Sequence, residues 1–167
     1  MREIVFMGGV PGAGKTTLVQ ERGLDKTHRG ITHHLRAADD YEEEININGS
    51  YLELLDKFAA PWKSFQDDDK WIFDGSSIQT EAMVELFRKS RIYNYRVKLI
   101  YIHVDPEVAV ERNARRDEAT RGPEEIIRDM AERSDTSLDL MRNFADEVEV
   151  IDNRKKEDDD GQYPRGR

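Results

Sequence analysis

Residues 8–17 read G-G-V-P-G-A-G-K-T-T, and within them Gly9, Gly14, Lys15 and Thr16 match the pattern G-x-x-x-x-G-K-[ST]. Small residues in such a loop let successive backbone N–H groups turn inward around phosphate groups. The apolar run before the loop is typical of a strand, and the residues after it continue as a helix whose N-terminus favours an anion. The stretch therefore predicts a phosphate-binding loop whose ligand is a nucleoside triphosphate.

Two side chains of this loop have specific expected roles. The Lys15 ammonium should bind the β- and γ-phosphates, and the Thr16 hydroxyl should complete the shell of a Mg²⁺ ion that water and phosphate oxygens mostly fill. ATP and Mg²⁺ are thus the expected cofactors. The other loop residues expected to contact the nucleotide are Gly9, Pro11, Gly12, Ala13, Gly14 and Thr17. The alternative is a flexible glycine-rich turn that binds no ligand.

Length and composition indicate one small domain. The chain has 167 residues, of which 37% are charged, well above the usual value of about 25%. Its formal net charge of -9 disfavours a broad electrostatic grip on nucleic acid, and the absence of cysteine excludes disulfides and thiolate metal sites. No apolar stretch approaches the roughly 18 residues that span a bilayer, and no signal-like segment precedes the first strand. We therefore expect a soluble cytoplasmic protein with no membrane partner, and the sequence predicts no oligomeric state.

Short apolar runs alternate with amphipathic stretches, which is the pattern of a parallel sheet flanked by helices. This predicts a three-layer α/β fold of the P-loop NTPase class with a parallel sheet of about five strands. The strands are predicted at about residues 3–7, 32–38, 71–73, 97–104 and 147–151. The fourth is nearly continuously apolar, which suits a central strand covered on both faces. His103 on that strand is expected to be packed rather than catalytic.

The spacing of apolar residues predicts helices around residues 55–65 and 83–87. Asp105 followed by Pro106 is a strong start signal, a capping carboxylate before proline at the first helical position, for a helix that runs toward Arg116. A further helix should start after the next Gly-Pro pair. Its buried face is predicted to carry Ile126, Ile127 and Met130.

Carboxylates follow two of the predicted strands. Because ligands of such sheets bind beyond the carboxyl ends of the strands, these are the places to seek chemistry. Asp39 is the candidate base that accepts the proton of an acceptor hydroxyl, and Asp74 is the candidate that holds magnesium through its water. The alternative is that Asp39, or its neighbour Asp40, and Asp74 merely cap turns.

Four arginines fall within ten residues of one another in the sequence. Charge that develops on a transferred phosphoryl group requires cations, and guanidinium groups on a closing segment supply them. The arginines are Arg112, Arg115, Arg116 and Arg121. We expect them on a helical lid near residues 112–134, within a domain of residues 1–152 that a disordered charged tail at 153–167 follows. Surface ion pairs with Asp117 and Glu118 are the alternative for any single arginine.

Four segments together resemble one family. They are V-P-G-A-G-K-T-T at 10–17, A-A-D-D-Y at 37–41, I-F-D-G-S-S at 72–77 and V-E-R-N-A-R-R at 110–116, the last followed by G-P-E-E-I-I-R-D-M at 122–130. Over about residues 1–152 the chain resembles the polynucleotide 5′-kinase branch of the P-loop kinases and also the zeta-toxin kinases. The resemblance implies that Asp39 activates the acceptor hydroxyl and that Arg116, with Arg112 beside it, contacts the donor phosphates. It also maps Asp74 onto the strand-end aspartate of the family.

The chain departs from the polynucleotide-kinase pattern at Glu42. An arginine that holds the phosphate of the acceptor is expected there, and an acid at that position repels such a phosphate. The expected function is ATP-dependent phosphorylation of a hydroxyl on a nucleic acid or nucleotide, including a modified base on DNA. A kinase of a small molecule or nucleotide sugar is the alternative that the zeta-toxin resemblance implies.

A third alternative is an NTP-driven switch or motor module. The sequence lacks the N-K-x-D motif that reads guanine, and Asp74 is followed by Gly75 rather than by the glutamate typical of a hydrolytic motor. Both observations favour a kinase.

Overall fold

The structure is a computed structural model that describes residues 2–33, 70–75, 80–118 and 121–155. Its strands are β1 (Glu3–Gly8), β2 (Arg29–His33), β3 (Lys70–Gly75), β4 (Arg96–His103) and β5 (Glu147–Asp152). Its helices are α1 (Lys15–Glu21), α2 (Leu24–Thr27), α3 (Thr80–Ile92), α4 (Pro106–Ala114), α5 (Glu124–Glu132) and α6 (Ser134–Arg142). The five strands form one parallel sheet in the order β2-β3-β1-β4-β5.

The side chains of β1, in the middle of the sheet, alternate between its two faces. Ile4 and Phe6 belong to the core that α3 and α6 cover, and Val5 and Met7 belong to the core that α1, α4 and α5 cover. All four side chains are buried. Because helices pack on both faces of a parallel sheet, the predicted three-layer α/β fold of the P-loop class is confirmed.

The observed strands agree with the predicted ones except at β2. This strand begins at Arg29, earlier than predicted, because its first two residues are not apolar and carry no periodic signal. The predicted continuation over 34–38 and the predicted helix at 55–65 lie outside the described residues. β4 lies between β1 and β5, and it is buried on both faces as its apolar sequence predicts.

The start of α4 was predicted correctly at its proline, but the predicted capping role of Asp105 was wrong. Pro106 is the first helical residue, but the Asp105 side chain makes no capping hydrogen bond to the helix. Its carboxylate instead accepts a 2.9 Å hydrogen bond from the backbone N–H of Lys155. The competing partner comes from a segment far along the chain, which the local motif does not reveal.

The buried face of α5 differs from the prediction at one residue. Ile127 and Ala131, four residues apart, are buried, whereas Ile126 is 55% exposed. Residues four apart share a helix face, so packing through these two turns Ile126 away from the core. The sequence interpretation also missed α6, although its buried residues Ser134, Leu138 and Met141 have helical spacing.

The first residues of the predicted tail are bonded to the domain. The backbone N–H of Asn153 donates a 2.9 Å hydrogen bond to the carbonyl of His103, and Arg154 forms ion pairs with Asp152 and Asp135. Contacts with the domain therefore extend to residue 155, and residues 156–167 lie outside the described part of the chain. None of the described helices combines the length and the apolar character required to cross a membrane.

Candidate active site

The backbone of the phosphate loop requires glycine at both glycine positions of the G-x-x-x-x-G-K-[ST] pattern. Gly9 has a φ of +131°, and a Cβ atom there would lie 2.7 Å from the carbonyl oxygen of Ile102 on β4. Gly14 precedes α1 with a φ of +100°. An L side chain is strained at such angles, and at Gly9 it would also collide with the neighbouring strand. These two glycines let the loop turn tightly between β1 and α1.

Lys15 is held inside the loop. Its side chain is buried, and Nζ donates hydrogen bonds to the carbonyl oxygens of Gly9 at 2.6 Å and Val10 at 3.0 Å. A buried ammonium needs such acceptors because burying an unpaired charge is costly. The loop carbonyls thus keep a positive charge at the position where the sequence predicts phosphate groups.

A cleft of about 540 Å³ opens beside the second half of the loop, and we call it the loop cleft. Its walls are Gly12, Ala13, Gly14, Lys15, Thr16, Thr17, Leu18, Glu21, Ile102, Arg112, Arg116, Ile151 and Asn153. Three of these residues carry a positive charge, and Glu21 carries a negative one. A cleft with this excess of positive charge attracts polyphosphates.

Arg112 and Arg116, two of the arginines predicted to contact the donor, both line the loop cleft. The Nη1 atom of Arg112 donates a 2.8 Å hydrogen bond to the carbonyl of Gly12. A Cβ atom on Gly12 would lie 3.1 Å from Cβ of Arg112, so the helix that carries the arginine packs closely on the loop. Arg116 lines the same cleft from a bend two residues beyond the end of α4.

Arg115 and Arg121 lie elsewhere. Arg115 pairs with Glu111 on the outer face of α4, where the two side chains are 74% and 62% exposed. Arg121 donates a 2.9 Å hydrogen bond from Nη2 to the backbone carbonyl of Arg116. Neither is among the residues described as lining the loop cleft. The structure therefore brings two of the four predicted arginines to the loop.

Asn113 links the two ends of the arginine segment, and the sequence interpretation missed it. Its side chain is buried, Nδ2 donates to the carbonyl of Gly122 at 2.7 Å, and Oδ1 accepts from the N–H of Gly122 at 2.9 Å. Ala109, one turn earlier, is also buried. Asn113 lies on the same helix face as the apolar Ala109, and a polar side chain on a buried face needs a hydrogen-bond partner inside the protein. This was the signal that could have identified it.

Only one of the two predicted carboxylates, Asp74, lies among the described residues. Asp74 lies near the carboxyl end of β3, in register with Thr32 of β2, so it stands at the predicted end of the sheet. Asp39 lies outside the described residues. Among the described residues no group of three or more His, Cys, Asp or Glu is arranged to hold a metal ion. The exposed Thr16 at the loop fits a Mg²⁺ ion that phosphate and water mostly coordinate.

A second cleft of about 500 Å³ opens beside the start of the loop, between α3, α5 and α6. We call it the methionine cleft because Met7, Met83, Met130 and Met141 line it. A 3.0 Å hydrogen bond from Thr80 Oγ1 to Ser137 Oγ joins α3 to α6 at its wall. Gly9 and Val10 of the loop also line it. The phosphate loop thus borders two clefts, one at each of its ends.

His103 is packed, as predicted. It is buried, and its Nδ1 atom lies 2.8 Å from Oγ of Ser134. Burial lowers the pKa of His103 below its ordinary value, and the nearby Arg154 lowers it further. The ring therefore joins β4 to α6 through the Ser134 hydroxyl.

The fold and the loop are those of a known family. A family model described as an AAA domain matches residues 4–137, which include the loop and the arginine segment. The chain belongs to this family, and its fold is that of the P-loop kinases. No curated protein is similar enough in sequence to be counted as a relative.

Three solved structures are similar in fold. A chain of the PezAT chromosomal toxin–antitoxin system of Streptococcus pneumoniae is 14% identical, with 92% of this chain and 69% of that chain covered and a TM-score of 0.59. Deoxyadenosine kinase from M. mycoides with bound dATP is 15% identical, with 90% and 91% covered and a TM-score of 0.59. A gluconokinase from Sinorhizobium meliloti is 17% identical, with 90% and 82% covered and a TM-score of 0.53.

Proposed function

We propose that this protein is an ATP-dependent kinase that transfers the γ-phosphate of ATP to a hydroxyl group. The observation that carries the proposal is the position of the phosphate loop between two clefts. The loop cleft has the positive charge that a triphosphate needs, and the methionine cleft offers a separate space for an acceptor at the other end of the same loop. A switch or motor module needs only the first of these spaces.

The proposed transfer is an in-line displacement. The acceptor oxygen forms a bond to the γ-phosphorus while the bond from that phosphorus to the oxygen bridging to the β-phosphate breaks. The hydroxyl proton passes to the Asp39 carboxylate, and the leaving charge remains on ADP. Mg²⁺, bound through Thr16 and through water held by Asp74, would neutralise charge on the β- and γ-phosphates.

The basic side chains of the loop cleft stabilise the charge of the reacting phosphates in this proposal. Lys15 exchanges its hydrogen bonds to the loop carbonyls for bonds to phosphate oxygens. Arg112 and Arg116 add two guanidinium groups on a proposed lid at residues 112–134. Arg115 and Arg121 support the lid from outside the cleft.

The acceptor has two candidate classes. The sequence resemblance to polynucleotide 5′-kinases favours a hydroxyl on a nucleic acid or nucleotide, including a modified base on DNA. The resemblance to zeta-toxin kinases favours a small molecule or nucleotide sugar. Structures of similar fold include proteins named as a deoxyadenosine kinase and a gluconokinase, which supports a small-molecule acceptor as well.

The test is incubation with γ-labelled ATP and a panel of acceptors. The panel contains 5′-hydroxyl oligonucleotides, hydroxymethylated DNA, nucleosides, nucleotide sugars and simple alcohols. We expect label on at least one class with the natural chain and none with Lys15→Ala, while Lys26→Ala, on the exposed surface of α2, keeps activity. Steady hydrolysis of ATP with no labelled acceptor would favour the switch or motor function instead.

A further inference from the structure

The walls of the methionine cleft are rich in methionine. The chain contains five methionines, and the four that follow Met1 all line this one cleft. Met7, Met83 and Met141 are buried beneath it, and Met130 is partly buried at its side. Unbranched thioether side chains adapt to irregular apolar surfaces, and they are over-used where a protein receives an apolar ligand. The cleft is therefore suited to the apolar body of a small molecule.

The charged residues of this cleft are mostly acidic. Its described walls contain Glu81, Asp129 and Arg133. The single cation on these described walls is already bound, because Nε and Nη2 of Arg133 both donate to Oδ2 of Asp129, at 3.0 and 2.5 Å. This bond holds the pKa of the Asp129 carboxyl below its usual range. Glu81 then leaves an excess negative charge on the described walls.

The described walls of the two clefts consequently differ in the sign of their charge. The loop cleft presents Lys15, Arg112 and Arg116 against Glu21, whereas the methionine cleft presents two carboxylates against Arg133. A phosphate on the acceptor would meet like charge in the second cleft. Arg133 compensates little for this repulsion because it is already paired with Asp129, and the two side chains are 70% and 55% exposed, so that water screens the pair.

We infer that the methionine cleft takes an acceptor alcohol that has an apolar body and bears no phosphate or carboxylate group. The inference rests on the proposed kinase function and selects within it. The chemical step is the transfer described above, with the acceptor oxygen bonded to phosphorus and its proton on Asp39. Nucleosides and uncharged alcohols fall within this class, and nucleotides and phosphorylated chain ends fall outside it.

The test compares matched pairs of acceptors with γ-labelled ATP. One pair is benzyl alcohol and 4-(hydroxymethyl)benzoate, and a second is 2-phenylethanol and 4-(2-hydroxyethyl)benzoate, so that both members of each pair carry the same reacting hydroxyl. We expect the uncharged members to have kcat/KM values at least about 10-fold higher. Equal or higher values for the anionic members would overturn the inference and leave the kinase function standing. If no member of either pair is labelled and the methionine methyl signals described below do not shift, the inference fails as well.

A charge variant asks whether these residues cause the discrimination. Asp129→Asn combined with Glu81→Gln removes both carboxylates and frees Arg133, so the preference for the uncharged member should fall at least about 10-fold. Glu111→Gln is the matched control because it breaks a similar pair with Arg115, which lies outside the described walls of both clefts. An unchanged preference in the double variant would contradict the assignment.

Methionine methyl resonances give a readout that does not need turnover. With the donor site filled by a non-hydrolysable ATP analogue, thymidine should shift the ¹³C-methyl signals of Met130 and Met141, and thymidine 5′-monophosphate should not. Shifts with thymidine but no transfer of label would support the ligand class while the kinase function fails. Transfer of label without any methionine shift would place the acceptor elsewhere and overturn the inference.

Discussion

The side-chain amide of Asn113 holds the backbone of Gly122 through two hydrogen bonds, one donated at 2.7 Å and one accepted at 2.9 Å. The segment between these two residues carries Arg116, whose backbone N–H bonds to the carbonyl of Asn113 at 3.1 Å. Arg112 is the residue just before Asn113 and contacts the loop at Gly12. An uncharged buried side chain thus joins the two ends of the segment that carries Arg116 to the loop cleft.

Asn113→Ala should impair the kinase without removing any charge. Both hydrogen-bonding groups of Gly122 would lose their partner, at a cost of about 1–3 kcal/mol in the free energy of unfolding. The two arginines would lose their fixed spacing, and we expect kcat to fall by about 10-fold or more. Urea unfolding and steady-state kinetics measure the two effects.

The matched control is Asn143→Ala at the exposed end of α6, where the amide makes only a 3.3 Å hydrogen bond within its own helix. It should change neither quantity appreciably. Asn113→Asp keeps the acceptor oxygen but loses the donor, so it should remain impaired. Full activity in Asn113→Asp would mean that the bond to the Gly122 carbonyl is dispensable.

Arg112→Ala should impair the kinase much more than Arg115→Ala, because only the first removes an arginine from the loop cleft. Arg112 lies against the loop, whereas Arg115 is 74% exposed and paired with Glu111. We expect Arg112→Ala to lower kcat by about 10²–10³-fold because a cation near the reacting phosphate is lost. Arg115→Ala should lower it less than about twofold, since exposed ion pairs contribute little. Equal losses in both variants would show that position relative to the loop is not what matters.

The sequence predicted the loop and the sheet well because those features are encoded locally. The glycines at 9 and 14 have left-handed backbone angles that few other residues adopt, so their pattern is readable without a structure. The apolar run of β4 likewise reports that both of its faces are buried.

What the sequence did not reveal depends on partners far along the chain. The bond between Asn113 and Gly122 joins a helix to the turn after it, and the Asp105 carboxylate bonds Lys155 rather than its own helix. The methionine cleft is assembled from residues on β1, α3, α5 and α6, which no local pattern connects. Tertiary packing decides such features, and single-sequence periodicity does not report them.

Lys15→Ala should abolish transfer while the fold remains. The ammonium now bonds the carbonyls of Gly9 and Val10, and its loss removes the charge proposed to bind the β- and γ-phosphates. We expect kcat/KM for ATP to fall by about 10²-fold or more, with a change of about 1 kcal/mol in the free energy of unfolding. Circular dichroism checks that the fold remains, and labelled-ATP assays measure transfer. Activity within about threefold of that of the natural chain would reject the role assigned to Lys15.

Asp39→Asn tests the proposed base. The amide keeps the size of the side chain but cannot accept the proton, so we expect kcat to fall by about 10²–10⁴-fold with KM for ATP little changed. Asp40→Asn is the neighbouring control and should retain activity. Full activity in Asp39→Asn would move the base assignment to another carboxylate.

The pH dependence of stability should reveal the carboxylates that Arg154 binds. Hydrogen bonds from Arg154 lower the pKa of Asp152 to about 2 and that of Asp135 below its usual range. A carboxyl with a lowered folded-state pKa stabilises the fold above its ordinary pKa of 3.8, and this stabilisation is lost as the pH falls toward 2. His103 adds in the same direction, because its burial-lowered pKa means that acidification below its ordinary value of 6.5 also destabilises the fold.

Arg154→Met removes the bonds to both carboxylates. At pH 7 we expect the free energy of unfolding to fall by about 1 kcal/mol, since the groups are partly exposed and solvent screens them. The difference from the natural chain should shrink somewhat as the pH falls through 6.5, because Arg154 no longer lowers the pKa of His103 in the variant. It should shrink further as the pH falls from about 4 toward 2, because the carboxyls then become protonated in both proteins. Urea unfolding at a series of pH values measures this, with Arg142→Met on the exposed side of α6 as the control. A difference that stays constant down to the lowest pH at which the protein folds would mean that Arg154 stabilises the chain by packing rather than by binding these carboxylates.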